Sequence, residues 1–285
     1  MQREPVVAGM FYPADPARCA AEVARLLEEA RGTVPRDGFF AGLVPHAGWT
    51  YSGAVAAKTF AALAATGTPD TLVIFGAVHT YGVGRPALYA RGSWATPLGA
   101  LAVDEALAAE ILRLAQGQIV DNPRAHSQEH SIEVQLPFVK YLFPDARIVP
   151  LMVPPTDDAA AVGQSVATAV QPGKGRIFLL GSSDLTHYGP RYGFAPRGTG
   201  PAALAWAKES DRRLLDDVIQ MRSEEIVRRA TRDRSACGAG AIAATVAAAR
   251  LLGATRGVLL EHTSSHEVYP AGAPTDFVGY AAVVF

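Results

Sequence analysis

The chain has 285 residues, 49% of them hydrophobic and 19% charged, which suits a globular protein with a substantial core. A formal net charge of -1 leaves no positive excess to attract phosphate backbones or anionic membranes, so neither nucleic acid nor a membrane surface is an expected partner. No uncharged apolar run reaches the roughly 18 residues of a membrane span. The N-terminal MQREPVVAGMFYPADP lacks the apolar core of a secretory signal, and Cys19 and Cys237 lie far apart, which predicts a cytoplasmic protein with free thiols.

Along the chain, a helix is expected over 15–30, a β-branched run over 39–44, a helix over 52–65 and a second strand over 71–75. Helices follow over 103–115 and 128–143, then a strand over 147–153, a helix over 157–169 and a strand over 176–180. Helices over 201–218, 223–230 and 238–252, a strand over 257–261 and a pair-forming run over 277–285 complete the series. Buried-type strands alternating with longer helical patterns predict one α/β domain over 1–285, a mainly parallel sheet covered by helices on both faces. The Ala-rich stretch 239–249 reads as a tightly packed central helix. Segment 188–201, YGPRYGFAPRGTGP, reads as a long surface loop of the kind that borders active sites.

His46 follows the first strand in VPHAGWTYSG, and His79 the second in IFGAVHTYG. Asp184 and His187 follow the strand before GSSDLTHYG. Carboxyl ends of parallel strands are where open α/β sheets bind ligands, so three imidazoles at equivalent edges favour a site over isolated surface or core histidines. Cys237, in RDRSACGAGA, falls at the start of the Ala-rich helix, where unpaired N–H groups and the helix dipole favour thiolate. The alternative is a small buried hydrophobe.

His126, Glu129 and His130 have the H-x-x-E-H spacing of one class of zinc proteases. Pro123 and a Ser127 cap would start a helix that leaves His126 outside it, so Glu129 and His130 are better read as support for a site or as substrate contacts. Trp49, Tyr51 and Tyr81 lie near these motifs and would either wall a pocket for a planar substrate or fill the core.

The motifs REPVVAGMFYPADP, GLVPHAGWTYSGAVAAKTF, FGAVHT, HSQEHSIEVQLPF, GSSDLTH, SACGAGAI and VGYAAVVF, in this order, resemble the Memo family, also called AmmeMemoRadiSam system protein B. The resemblance runs from about residue 3 to 285 and implies a fold similar to the LigB-like class III extradiol dioxygenases. Those enzymes hold Fe(II) with two histidines and a carboxylate. By that resemblance His46 and His79 match the metal histidines, His187 the acid/base histidine, and Cys237 stands in place of the glutamate, with Asp184 orienting His187 or the substrate. A thiolate softens the site and admits copper or zinc besides iron. The resemblance further implies AMMECR1-like and radical SAM proteins as neighbours, and peptide binding in the animal relative. Three functions follow as expectations: a metal-dependent, dioxygenase-like oxidoreductase acting on a small aromatic molecule, a non-catalytic module binding a peptide or protein through the same cleft, and a zinc peptidase.

Overall fold

The computed structural model describes residues 1–35, 38–173 and 176–285. Helix α1 (Pro16–Ala30) starts where the Asp15 side chain accepts the Arg18 N–H at 2.9 Å, with a proline in the first turn. Next come β1 (Ala41–Val44), α2 (Trp49–Thr66) and β2 (Thr71–Gly76). Short strands and α3 (Glu105–Leu114) lead to α4 (Leu136–Leu142), β3 (Arg147–Met152), α5 (Ala159–Val170) and β4 (Ile177–Ser182). The chain ends with α6 (Pro201–Ile219), α7 (Ser223–Asp233), α8 (Ala239–Leu251), β5 (Val258–Ser264) and β6 (Phe277–Val284).

The apolar runs that lack alternation become a buried parallel core in the order β1, β4, β2, β3. Strand β6 lies antiparallel beside β1 and carries β5 on its outer side, which makes the sheet a mixed one with helices against it. Because β1, β2 and β4 are parallel, the chain leaves all three at one edge. His46, His79 and Asp184 are among the first residues beyond it. Among the described residues no helix is long and apolar enough to cross a membrane.

Helix α8 is buried from Ala239 through Ala249. It packs so closely on α5 that a Cβ on Gly163 would collide with the Ala244 carbonyl oxygen. Backbone cannot yield as a flexible side chain can, so Gly163→Ala should cost about 1–3 kcal/mol of stability, measured by urea unfolding. A change below a few tenths would show that the two helices separate freely.

The expected helix over 128–143 is only half present. Residues after His126 form turns, Glu133–Gln135 a single 3-10 turn, and α4 begins at Leu136. The reason is competition for the backbone. The Glu129 carboxylate accepts the N–H groups of His130 and Ser131, each at 2.9 Å, and Ser182 Oγ donates to the Ser131 carbonyl at 2.7 Å. From the other end of the chain, Arg3 donates to the carbonyls of His126 and Glu129 at 2.8 and 2.6 Å and pairs with Glu133 at 2.8 Å. Arg3 and Glu133 are both buried, and Glu133 also accepts the N–H groups of Val6 and Val7 and the Tyr12 hydroxyl.

Candidate metal centre

His46 is buried, and its backbone N–H donates to Asp184 Oδ1 at 2.8 Å. Its Nδ1 lies 3.1 Å from Ser182 Oγ, whose single proton is committed to the Ser131 carbonyl and which also accepts from Gln135 Nε2 at 3.2 Å. Nδ1 of His46 must therefore carry the proton, leaving the Nε2 lone pair facing Cys237 Sγ at 3.2 Å. His79 is fixed in the same sense by Glu129, whose carboxylate accepts the His79 backbone N–H at 2.6 Å and stands 2.9 Å from Nδ1. Burial alone would raise the Glu129 carboxyl, but the His79 hydrogen bond and charge, helped by the Ser131 N–H, hold it well below the usual carboxylate range.

Cys237 sits two residues before α8, its N–H donating to the Asp184 carbonyl at 3.3 Å. Burial would raise the thiol, but His46 and His79 outweigh it and bring it down to about 6. His79 responds in the opposite direction, with burial lowering it and the hydrogen bonds to Cys237 and Glu129 raising it to about 10. Without a metal the site is therefore a thiolate facing a protonated His79. The ligand atoms of His46, Asp184 and Cys237 lie within 4.8 Å of one another, as do those of His46, His79 and His130. Two imidazoles anchored at Nδ1 beside a thiolate, with the His79 Nε2 proton displaced by the incoming ion, are a donor set that suits a soft or borderline divalent cation.

His130, expected to support the site or to contact substrate, has its ring within the cluster, stacked on His79 at 4.8 Å and edge-on to His46 at 5.5 Å. Burial and the neighbouring imidazoles lower it to about 3, so it offers a neutral nitrogen. His187 stands across the cavity with Nε2 at 3.8 Å from Asp184 Oδ2 and its ring leaning on Tyr192. Burial raises the Asp184 carboxyl and lowers His187, while each partner's charge opposes the change. The cavity has a volume of about 600 Å3, with His46, His79, His130, Asp184 and His187 lining it beneath walls that include Phe11 and Tyr51.

Two of the aromatic expectations do not reach this cavity. Trp49 packs between Tyr12 and Phe138 and donates its Nε1 proton to the Val134 carbonyl at 3.3 Å, because it opens α2 on its buried face. Tyr81 is fully exposed. Ser182, Ser131 and Gln135, which set the His46 tautomer, went unnoticed in the sequence. Ser131 and Gln135 lie in a polar run, HSQEHSIEVQ, ahead of the apolar LPFV, and Ser182 lies in GSSDLTH, and those two stretches were their only signal.

His126 lies apart from the site. It ends a 3-10 turn, contacts Tyr89 and Trp94 edge-on, and places Nε2 2.9 Å from the Ala87 carbonyl, so the H-x-x-E-H residues do not share a helix face. Burial lowers it to about 4, against an ordinary value of 6.5. Between those values the unfolded chain takes up a proton that folded His126 refuses. Its contribution to stability is thus complete above pH 6.5 and declines as pH falls toward 4, by at most about 3 kcal/mol. Urea unfolding at pH 7, 5.5 and 4.5 should show a shallower acid decline in His126→Phe than in the parent. Equal declines would remove His126 as a cause.

The family profile described as Memo-like protein matches residues 3–284. A MEMO1 family protein of Pyrococcus abyssi is 38% identical over all of this chain and 99% of its own length. Those of Methanopyrus kandleri and Methanosarcina barkeri are 37% and 38% identical, each covering at least 99% of both chains. A profile and relatives that agree from end to end, over a fold with histidines and a cysteine gathered at one sheet edge, make this chain a member of the Memo family.

Proposed function

We propose that the protein is a metal-dependent oxidoreductase acting on a small aromatic molecule, with His46, His79 and Cys237 holding the metal, Fe(II) foremost and copper or zinc as alternatives. The observation that carries this reading is the pair of imidazoles anchored at Nδ1. Ser182 and Glu129 each accept the Nδ1–H of their imidazole, so Nε2 of His46 faces Cys237 and Nε2 of His79 is the atom a metal would take by displacing its proton, at a cavity large enough for one ring. When bound, the metal supplies a Lewis-acidic, redox-active centre. Everything else falls to the chain. His187 exchanges a proton with a hydroxyl of the substrate, Asp184, whose carboxylate faces that imidazole at 3.8 Å, orients it, and Phe11 and Tyr192 limit access of water to the ring.

Anaerobic loading with Fe(II), followed by oxygen uptake in the presence of catechols, tests the reading. About one iron per chain and catechol-dependent uptake are expected, and failure to bind metal would end it. A second reading, a non-catalytic module that grips a peptide, draws on the exposed rings of Tyr51, Tyr192 and Tyr269 along the same cavity. Stoichiometric metal with no oxygen consumed under any catechol would favour that alternative.

A further inference from the structure

Segment 188–201, expected to border the site, lends the cavity one more chemical group. Pro190–Tyr192 forms a 3-10 turn between two glycines that hold positive φ, Gly189 at 125° and Gly193 at 61°. A Cβ on Gly189 would collide with the Asp276 carboxylate and the Thr275 carbonyl, so the turn is pressed directly onto the loop before β6. Asp276 Oδ1 accepts the Arg191 N–H at 2.8 Å, and Tyr192, next in sequence, leans on His187 with ring centres 5.2 Å apart. Arg191 therefore stands on a fixed base beside the acid/base histidine and lines the same cavity as the three imidazoles. Among the described residues its exposed guanidinium forms no ion pair and is free to meet a ligand.

We infer that the substrate carries a carboxylate at the end away from the imidazole cluster and that Arg191 recognises it, which rests on the reading of the site as an aromatic-substrate pocket. A guanidinium presents two parallel N–H groups that match a carboxylate edge. The other charged groups lining the cavity limit the choice of anion. Asp276 stands beside Arg191 and Asp184 lies deeper, so a dianion such as a phosphate monoester would meet about twice the repulsion that a single negative charge meets. The predicted ligand class is thus an aromatic acid with oxygen donors for the inner end and one carboxylate for the mouth.

Calorimetry on zinc-loaded protein without oxygen, using catechol and 3,4-dihydroxybenzoate as probes, separates the two ideas. The parent should prefer the carboxylated probe by about ten- to hundredfold, the range of one charge-assisted contact. In Arg191→Gln that preference should collapse toward unity. In Arg191→Glu it should invert in favour of 4-(2-aminoethyl)catechol, whose ammonium matches the new charge. Arg197→Gln, on the same loop but outside the cavity lining, should keep the parental preference. If the parent binds both probes equally, or if Arg191→Gln keeps the preference, the carboxylate assignment fails while the aromatic pocket stands. If the parent binds neither probe, the pocket reading fails and takes this inference with it.

Discussion

Replacing His187 with asparagine is expected to reduce turnover of an aromatic diol by two to four orders of magnitude, about the span that a positioned acid/base group supplies. His187 lines the cavity 3.8 Å from Asp184, while the Nε2 atoms proposed to hold the metal belong to His46 and His79. The metal content of the variant should therefore match the parent's. Asparagine keeps a polar side chain near the ring of Tyr192 but cannot exchange a proton near neutral pH. The loss should fall on kcat rather than on KM, since proton transfer is demanded in the transition state and not on binding. Iron content by elemental analysis and steady-state oxygen uptake together decide the matter. A variant with full iron and parental kcat would remove His187 from the chemistry.

Glu129→Gln should act from one layer further out, on metal affinity and on stability together. The carboxylate is fully buried and receives N–H groups from His79, His130 and Ser131 in addition to the His79 ring. Glutamine offers one acceptor oxygen and turns an NH2 group toward donors, so at least one buried N–H loses its partner at about 1–3 kcal/mol. Losing the partner of His79 Nδ1 also frees the ring to rotate or to change tautomer, and changes of this kind cost about ten- to hundredfold in metal affinity. Competition against a chelator reads the affinity, and urea unfolding of the metal-free protein reads the stability. The pH course follows from the direction of the shift. Folded Glu129 holds its charge below the ordinary carboxylate range, so its contribution is complete above about pH 4.5 and is lost only on further acidification. A metal affinity within twofold of the parent would show that His79 needs no anchor.

Much of the architecture was readable because the parallel core has a strong signature. Val73, Ile74 and Phe75 are apolar on both faces of β2, and the matching run in β4 made both strands stand out. Since parallel strands share a direction, the ends of these runs place His46, His79 and His187 at one edge from the sequence alone. The Cys237 position was legible through the break in helical pattern before α8. What stayed hidden depends on which backbone groups a side chain captures. Helical spacing in residues 128–135 was outweighed by Glu129, Ser182 and Arg3, which take that segment's N–H and carbonyl groups from positions far away in sequence. The orientation of an aromatic ring was equally unreadable. Tyr51 faces the cavity and Trp49 the core, although both lie in the first turn of α2.

The grip of Arg3 on the carbonyls of His126 and Glu129 has a consequence for biosynthesis. Arg3 leaves the ribosome 123 and 126 residues ahead of these partners, which at about 5–20 residues per second amounts to some 6–25 seconds of waiting. Cys237 is translated more than a hundred residues later still. The nascent chain thus makes His46, His79 and Glu129 well before Cys237, so the proposed ligand set would be complete only when most of the polypeptide has emerged. Under the proposed metal site, capture of the ion would wait on the order of the code itself.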